Sequence, residues 1–176
     1  NTMIPYSPTV TAAGHASIYT GSTPALHGIA GNDWYDYDAQ KNMYCTEDKS
    51  VKTVGATTKS GEMSPKNLLA TTIGDELKLA TNFKSKVIGV SLKDRGSILP
   101  AGHSADAAYW YDKKTGNFIS STYYMKELPK WASAFNASNA VFNYYQKNWN
   151  TLYPINTYTQ SDVDTNSYEY EGFDST

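Results

Sequence analysis

Val87-Ile88-Gly89-Val90-Ser91-Leu92-Lys93-Asp94-Arg95 is the stretch on which the reading of the fold turns. Its first six residues form a short apolar run with β-branched side chains, the pattern of a strand covered on both faces. Three charged residues follow at once, and in open α/β sheets ligands gather beyond the carboxyl ends of strands. Upstream, Ser64 stands before Pro65, a cap residue ahead of a first-turn proline, with Leu69, Ile73, Leu77 and Ala80 at helical spacing behind it. A helix is expected over residues 65–81, although Gly74 inside it costs about 1 kcal/mol relative to Ala. Helix, short link and buried strand make an α/β unit, so the fold class expected is α/β.

Working outward, Ala108-Tyr109-Trp110-Tyr111, then Asp112-Lys113-Lys114-Thr115-Gly116, then Asn117-Phe118-Ile119-Ser120-Ser121 read as strand, turn and strand, with Gly116 supplying a positive φ. Helices are expected at residues 128–136 and 139–147. The tail, residues 150–176, is rich in Tyr, Asn, Asp, Ser and Thr without periodicity and reads as irregular. Toward the start, a Pro- and Ser-containing loop over residues 5–11 runs into a short helix stopped at Gly21. If that helix begins near Thr11, its free N–H groups and dipole favour an anion there. Residues 23–60 read as loops with short strands, interrupted by the cluster Trp34-Tyr35-Asp36-Tyr37.

Composition narrows the class. At 176 residues with 40% apolar and 18% charged side chains, the chain has a globular profile and the length of one domain. Fifteen Lys and Arg against 17 Asp and Glu give a net charge of −2, with no basic run to track a phosphate backbone, which argues against nucleic acid as a partner. No apolar stretch approaches the ~18 residues of a membrane span. The single cysteine, Cys45, excludes an internal disulfide and has no second Cys or nearby His at metal-ligand spacing. The opening residues resemble neither a start Met nor a signal peptide, so the chain is expected to be a piece of something longer.

Thr11, Asn32, Lys93 and Arg95 are the residues that suit phosphoryl chemistry. Phosphoryl transfer requires an oxygen nucleophile on one side of phosphorus and donors or cations around its equatorial oxygens. Thr11 offers the hydroxyl, Asn32 an amide donor, Arg95 a bidentate fork and Lys93 a point charge. Taken singly, each also has a plainer account: Thr11 as a helix cap, Asn32 as a turn residue after Gly31, and Lys93 to Arg95 as a solvated loop.

A longer match separates these accounts. Thr9-Val10-Thr11-Ala12-Ala13-Gly14-His15, continuing through Thr20-Gly21-Ser22-Thr23-Pro24-Ala25-Leu26-His27-Gly28-Ile29 to Gly31-Asn32, resembles the nucleophile region of the type I phosphodiesterase/nucleotide pyrophosphatase branch of the alkaline phosphatase superfamily. In that pattern, T-x-T-x-x-x-H leads through T-G-x-x-P-x-x-H-G-I to G-N; the second Thr is the nucleophile and the final Asn binds phosphate. These positions are Thr11 and Asn32, 21 residues apart. A second stretch, Ser91 to Pro100 followed by Gly102-His103-Ser104-Ala105-Asp106, resembles the phosphate-irrepressible bacterial alkaline phosphatases. Their K-x-R segment, here Lys93 and Arg95, grips the non-bridging oxygens of a monoester.

The resemblance implies part of a three-layer α/β/α domain of the alkaline phosphatase type with a β-hairpin excursion, residues 1–176 forming a single partial domain. It implies a phosphate monoesterase that forms a phosphothreonine intermediate, acts on small phosphate monoesters, and is periplasmic or secreted. It also implies two zinc ions, with Thr11 among their ligands; the Asp and His residues that complete that set have no counterpart here, and His15, His27 and His103 read as structural. The isolated segment is therefore expected to bind no zinc and to be inactive. Two alternatives stand beside this reading. A nucleotide pyrophosphatase or phosphodiesterase is disfavoured by Lys93 and Arg95, because the more highly charged monoester gains most from added cations. A metal-free glycan-binding module would use the aromatic clusters at Trp34–Tyr37 and Tyr109–Tyr111.

Overall fold

The computed structural model describes residues 9–161. Helix α1 (Thr11–Thr20) ends where Gly21 takes φ 66°, a left-handed value that costs an L-residue but not glycine. Its buried side chains are Ala12, Ala13 and Ala16, small enough to let the helix backbone lie close to its neighbours. The one-turn helix α2 (Pro24–His27) follows, and Gly31-Asn32 leads into an antiparallel hairpin of β1 (Asp33–Asp36) and β2 (Lys41–Tyr44), paired Asp33 to Tyr44. The expected loops and short strands of residues 23–60 are present, completed by β3 (Thr53–Val54).

The expected helix over residues 65–81 is shorter. Helix α3 spans Ile73–Ala80, because Thr72 starts it with a capping box: Thr72 Oγ1 accepts from Asp75 N at 3.2 Å and the Asp75 carboxylate accepts from Thr72 N at 2.9 Å. Ser64 is otherwise engaged, its hydroxyl donating to Asp48 Oδ2 at 2.6 Å. The turn that follows Pro65 is pinned by Asn67 Nδ2, which donates to the Tyr44 and Cys45 carbonyls. The anticipated apolar stripe lies outward, Leu69 and Ile73 being exposed, while Asp75 and Lys78 are buried. Lys78 is stabilised there by Asp106 Oδ2 at 2.8 Å and the Ser85 carbonyl at 3.2 Å.

Strand β4 (Ile88–Ser91), helix α4 (Asp94–Ala101) and strand β5 (Ala107–Asp112) form a βαβ unit in which β4 and β5 pair in parallel. Strand β6 (Asn117–Ser121) returns antiparallel to β5 through the expected turn, with Gly116 at φ 75°, giving the sheet order β3-β6-β5-β4. The α/β expectation holds. The expectation of a strand covered on both faces does not: β4 is an edge, and Ile88 and Val90 are 57% and 62% exposed. An apolar run reports only that its residues are apolar, and among the described residues no second layer covers that face.

Two buried clusters hold these elements together. One joins Ala12, Ala16, Ile29, Cys45, Leu68 and Leu99, with Trp34 and Tyr44 packed against it; the other joins Ile98, Ala108, Trp110 and Ile119. Helices α5 (Lys130–Ala137) and α6 (Ala140–Tyr145) answer to the two expected after residue 128. The chain divides into compact units between Ala140 and Val141. Within the second, the rings of Phe142 and Tyr145 meet edge-on at 6.3 Å, and Ile155–Thr157 form a 3₁₀ turn. The rest of the expected irregular tail, residues 162–176, lies outside the described residues, as do residues 5–8 of the expected first loop.

Candidate active site

Residue 11 opens a helix whose first turn receives no cap from its own chain neighbours. Val10 stands at the N-cap with no side-chain hydrogen bond, and no acidic residue occupies the first turn. The Ala12 N–H instead donates to Asn32 Oδ1 at 3.0 Å. That bond joins Ala12 and Asn32 across 20 positions of sequence and occupies the oxygen of the Asn32 amide, so its NH₂ group is what remains for a ligand. Thr11 is exposed, and its hydroxyl makes no hydrogen bond among the described residues.

Lys93 and Arg95 reach the region from the other side. Lys93 is the N-cap of α4 and Arg95 lies in its first turn, so the charges stand past the end of β4, and α4 packs on α1. Lys93 is exposed, and its ammonium has no partner among the described residues. Arg95 is half-buried and anchored: its Nη1 donates to the Tyr44 hydroxyl at 2.6 Å, and its Cζ lies 5.8 Å from the centroid of that ring. The Tyr44 hydroxyl donates in turn to Asp94 Oδ1 at 3.0 Å, and Thr46 Oγ1 donates to Asp94 Oδ2. The Asn32 carbonyl accepts from Cys45 N at 2.9 Å, so the hairpin that begins beside Asn32 also carries the anchor of Arg95. Asn32 therefore meets the first turn of α1 at Ala12, next to Thr11, while Arg95 is linked to Asn32 through Tyr44 and Cys45.

Tyr44, Thr46 and Asp94 were not singled out from sequence. Asp94 reads in sequence only as the middle of the charged run Lys93 to Arg95, with no role of its own, and the partnership of Tyr44 with Arg95 spans 51 positions. The hairpin turn, with Asp36 Oδ1 accepting from the Asp38 and Ala39 N–H groups, was the local signal that could have set the β1–β2 register and turned attention to Tyr44. Burial, and then the Asp94 charge, hold the Tyr44 phenol far above its ordinary pKa, so it keeps its proton. Burial, with Asp94 adding to it, pushes the Cys45 thiol up to about 12. That cysteine packs as an inert small apolar residue.

The histidines take supporting positions. His27 is fully buried, its Nδ1 accepts from the Ile29 N–H at 3.1 Å, and Nε2 donates to Ser17 Oγ at 2.9 Å. Burial lowers its pKa, consistent with a neutral ring in that one tautomer. His15 Nδ1 donates to the Thr11 carbonyl at 2.8 Å, and the His103 carbonyl accepts from the Tyr123 hydroxyl at 2.9 Å. No group of three or more His, Cys, Asp or Glu side chains converges as a metal-ligand set among the described residues. The described residues thus do not assemble the two-zinc site that the resemblance implies. Of the two aromatic clusters, Tyr109 and Trp110 are buried, with Trp110 Nε1 donating to the Ser60 carbonyl, and offer no stacking platform for a glycan, whereas in Trp34–Tyr37 the rings of Tyr35 and Tyr37 are exposed.

The family profile described as type I phosphodiesterase / nucleotide pyrophosphatase matches residues 1–169. The chain belongs to this family. Within it, the chain is 62% identical over 169 residues to alkaline phosphatase PhoV of Synechococcus elongatus, covering 96% of this chain and 31% of that protein. A Myroides odoratus protein named calcium-transporting ATPase is 62% identical over 169 residues, with the same coverage. A crystal structure of an alkaline phosphatase PafA variant superposes with a TM-score of 0.90 at 55% identity, covering 95% of this chain and 32% of that one. The fold is thus that of these alkaline phosphatase structures, and the chain spans about a third of the length of the relatives it matches.

Proposed function

We propose that the whole protein to which this family segment belongs is a phosphate monoester hydrolase of the alkaline phosphatase type, with Thr11 as its nucleophile. One observation carries the reading: the Ala12 N–H to Asn32 Oδ1 bond, which leaves an amide able to donate at the N-terminus of the helix that Thr11 opens. The chemistry balances in two displacements. Thr11 Oγ bonds to phosphorus while the bond to the leaving oxygen breaks, and the alcohol departs with a proton. Water then attacks phosphorus, the bond to Thr11 Oγ breaks, and inorganic phosphate leaves as the hydroxyl regains its proton. Asn32, Lys93 and Arg95 bind the non-bridging oxygens and hold charge where it develops.

Three further observations support this reading. Relatives named alkaline phosphatases are 58–62% identical over nearly the whole chain. The solved PafA variant is substituted at a Thr and an Asn 21 positions apart and at a Lys and an Arg two positions apart, and Thr11, Asn32, Lys93 and Arg95 have these spacings. The cations suit a monoester dianion more than a diester monoanion. We take any zinc ions to be held largely by residues outside this segment, so the isolated 176 residues should turn over no ester. We also propose a periplasmic or secreted setting, which the resemblance implies; among the described residues no helix is long and apolar enough to cross a membrane.

The family description itself favours a second reading, a nucleotide pyrophosphatase or phosphodiesterase. Full-length protein assayed on a matched aryl monoester and aryl methyl diester separates the two. Monoester preference that collapses in Arg95→Ala supports the first, and a strong diester preference in the unaltered protein overturns it.

A further inference from the structure

Arginine donates and never accepts, a carboxylate only accepts, and a phenol does both. The direction of each bond around Tyr44 is therefore fixed: its hydroxyl accepts from Arg95 Nη1 at 2.6 Å and donates to Asp94 Oδ1 at 3.0 Å, while Thr46 Oγ1 occupies the other carboxylate oxygen. Asp94 and Arg95 are sequence neighbours, yet they form no ion pair with each other among the described residues. A direct pair would consume the guanidinium and cancel its charge toward a ligand. A neutral hydroxyl between them anchors one N–H and leaves the charge in place. The Nη1 bond is the one hydrogen bond the Arg95 side chain makes among the described residues, and Nη2, unlike the buried Nε, is not among the buried unpartnered atoms, so Nη2 is the donor left for an oxyanion. The Tyr44 ring is itself held, packed against the cluster containing Ala12, Ala16 and Leu99, so the hydroxyl has a fixed origin.

We propose that Tyr44, oriented by Asp94 and Thr46, is the positioning residue for Arg95, and that this four-residue relay sets the selectivity of the site for dianionic monoesters over diesters. The inference rests on the reading of Arg95 as a substrate cation. A purely structural Tyr44 would satisfy buried polar atoms, and its loss would lower activity on every substrate alike.

The test uses the full-length enzyme, with kcat/KM for an aryl phosphate monoester and for its aryl methyl diester measured in the unaltered protein, Tyr44→Phe, Arg95→Ala and the double variant. Tyr44→Phe keeps the ring and removes the hydroxyl. It should lower the monoester-to-diester ratio roughly 10- to 100-fold, the weight of a hydrogen bond to a charged group. The double variant should show the same ratio as Arg95→Ala alone, because both changes act through one guanidinium. Thr46→Val, which removes the bond to Asp94 and no hydrogen bond to Tyr44 or Arg95, should shift the ratio in the same direction by less. An equal loss on both esters, or losses that multiply in the double variant, overturns the proposal while leaving Arg95 as a substrate cation. An unchanged ratio in Arg95→Ala overturns the proposal and the functional reading with it.

Discussion

Two threonines open two helices in this molecule, and they are treated in opposite ways. At α3, Thr72 and Asp75 satisfy each other's backbone N–H groups, the residues are buried, and the Asp75 carboxylate further accepts from Ser104 N at 2.6 Å. The Thr72 and Asp75 N–H groups at this helix start are both satisfied locally. At α1, Thr11 is exposed, Val10 supplies no cap, and among the described residues the side chain that accepts from the first-turn N–H groups is Asn32, from outside the helix. One terminus is sealed by its own sequence and the other is left open toward solvent, which is how a structural helix start differs from one available to an anion.

Exchanging the same substitution between the two sites tests the comparison most severely. In the full-length enzyme Thr11→Ala should lower monoester kcat/KM by roughly 10⁴-fold or more and abolish trapping of a phosphoenzyme, with the melting temperature nearly unchanged. An intact phosphoenzyme signal would break the contrast. Next in size, Asn32→Asp keeps the oxygen that accepts from Ala12 N but replaces the donor with an acceptor and adds repulsion. A loss of about 10²-fold in kcat/KM is expected, together with weaker inhibition by inorganic phosphate. Thr72→Ala should do the reverse of Thr11→Ala, costing about 1 kcal/mol of stability in denaturant unfolding while kinetics stay within about two-fold.

The smallest effect concerns pH. Burial works against the Asp75 charge, but the Thr72, Ser104 and His103 N–H groups and the Thr72 hydroxyl outweigh it and hold the carboxyl below its ordinary value. A carboxyl with a depressed folded-state pKa contributes stability above its unfolded pKa of about 3.9 and loses it as pH falls through the folded value. Unfolding midpoints should therefore decline as pH drops below about 4, and less steeply in Asp75→Asn. Equal slopes in the two proteins would remove Asp75 as the cause.

What could be read from sequence follows the range of the interaction. Helix α1 and the β5–β6 hairpin were legible because their stop signals, Gly21 and Gly116, act within a few residues. The start of α3 was misplaced because two signals of the same kind compete, Ser64-Pro65 and Thr72 with Asp75, and the first is diverted when Ser64 bonds Asp48 across 16 positions. The stripe of Leu69, Ile73 and Leu77 has helical spacing, but spacing cannot tell an outward face from an inward one. At the site, Thr11, Asn32, Lys93 and Arg95 came from a resemblance in two local motifs. Tyr44 and Thr46 were hidden because their role exists only once the hairpin has brought them to the first turn of α4.

The bare side of β4 has a practical bearing on handling the protein. Among the described residues nothing pairs with its outer edge, Ile88 and Val90 are exposed beside it, and no lysine or proline stands inside Ile88–Ser91 to discourage another chain from adding to it. Produced by itself, the segment would clump through this border in preference to staying dispersed, so a low yield of the isolated piece would speak of stickiness and leave the chemistry of Thr11 untouched.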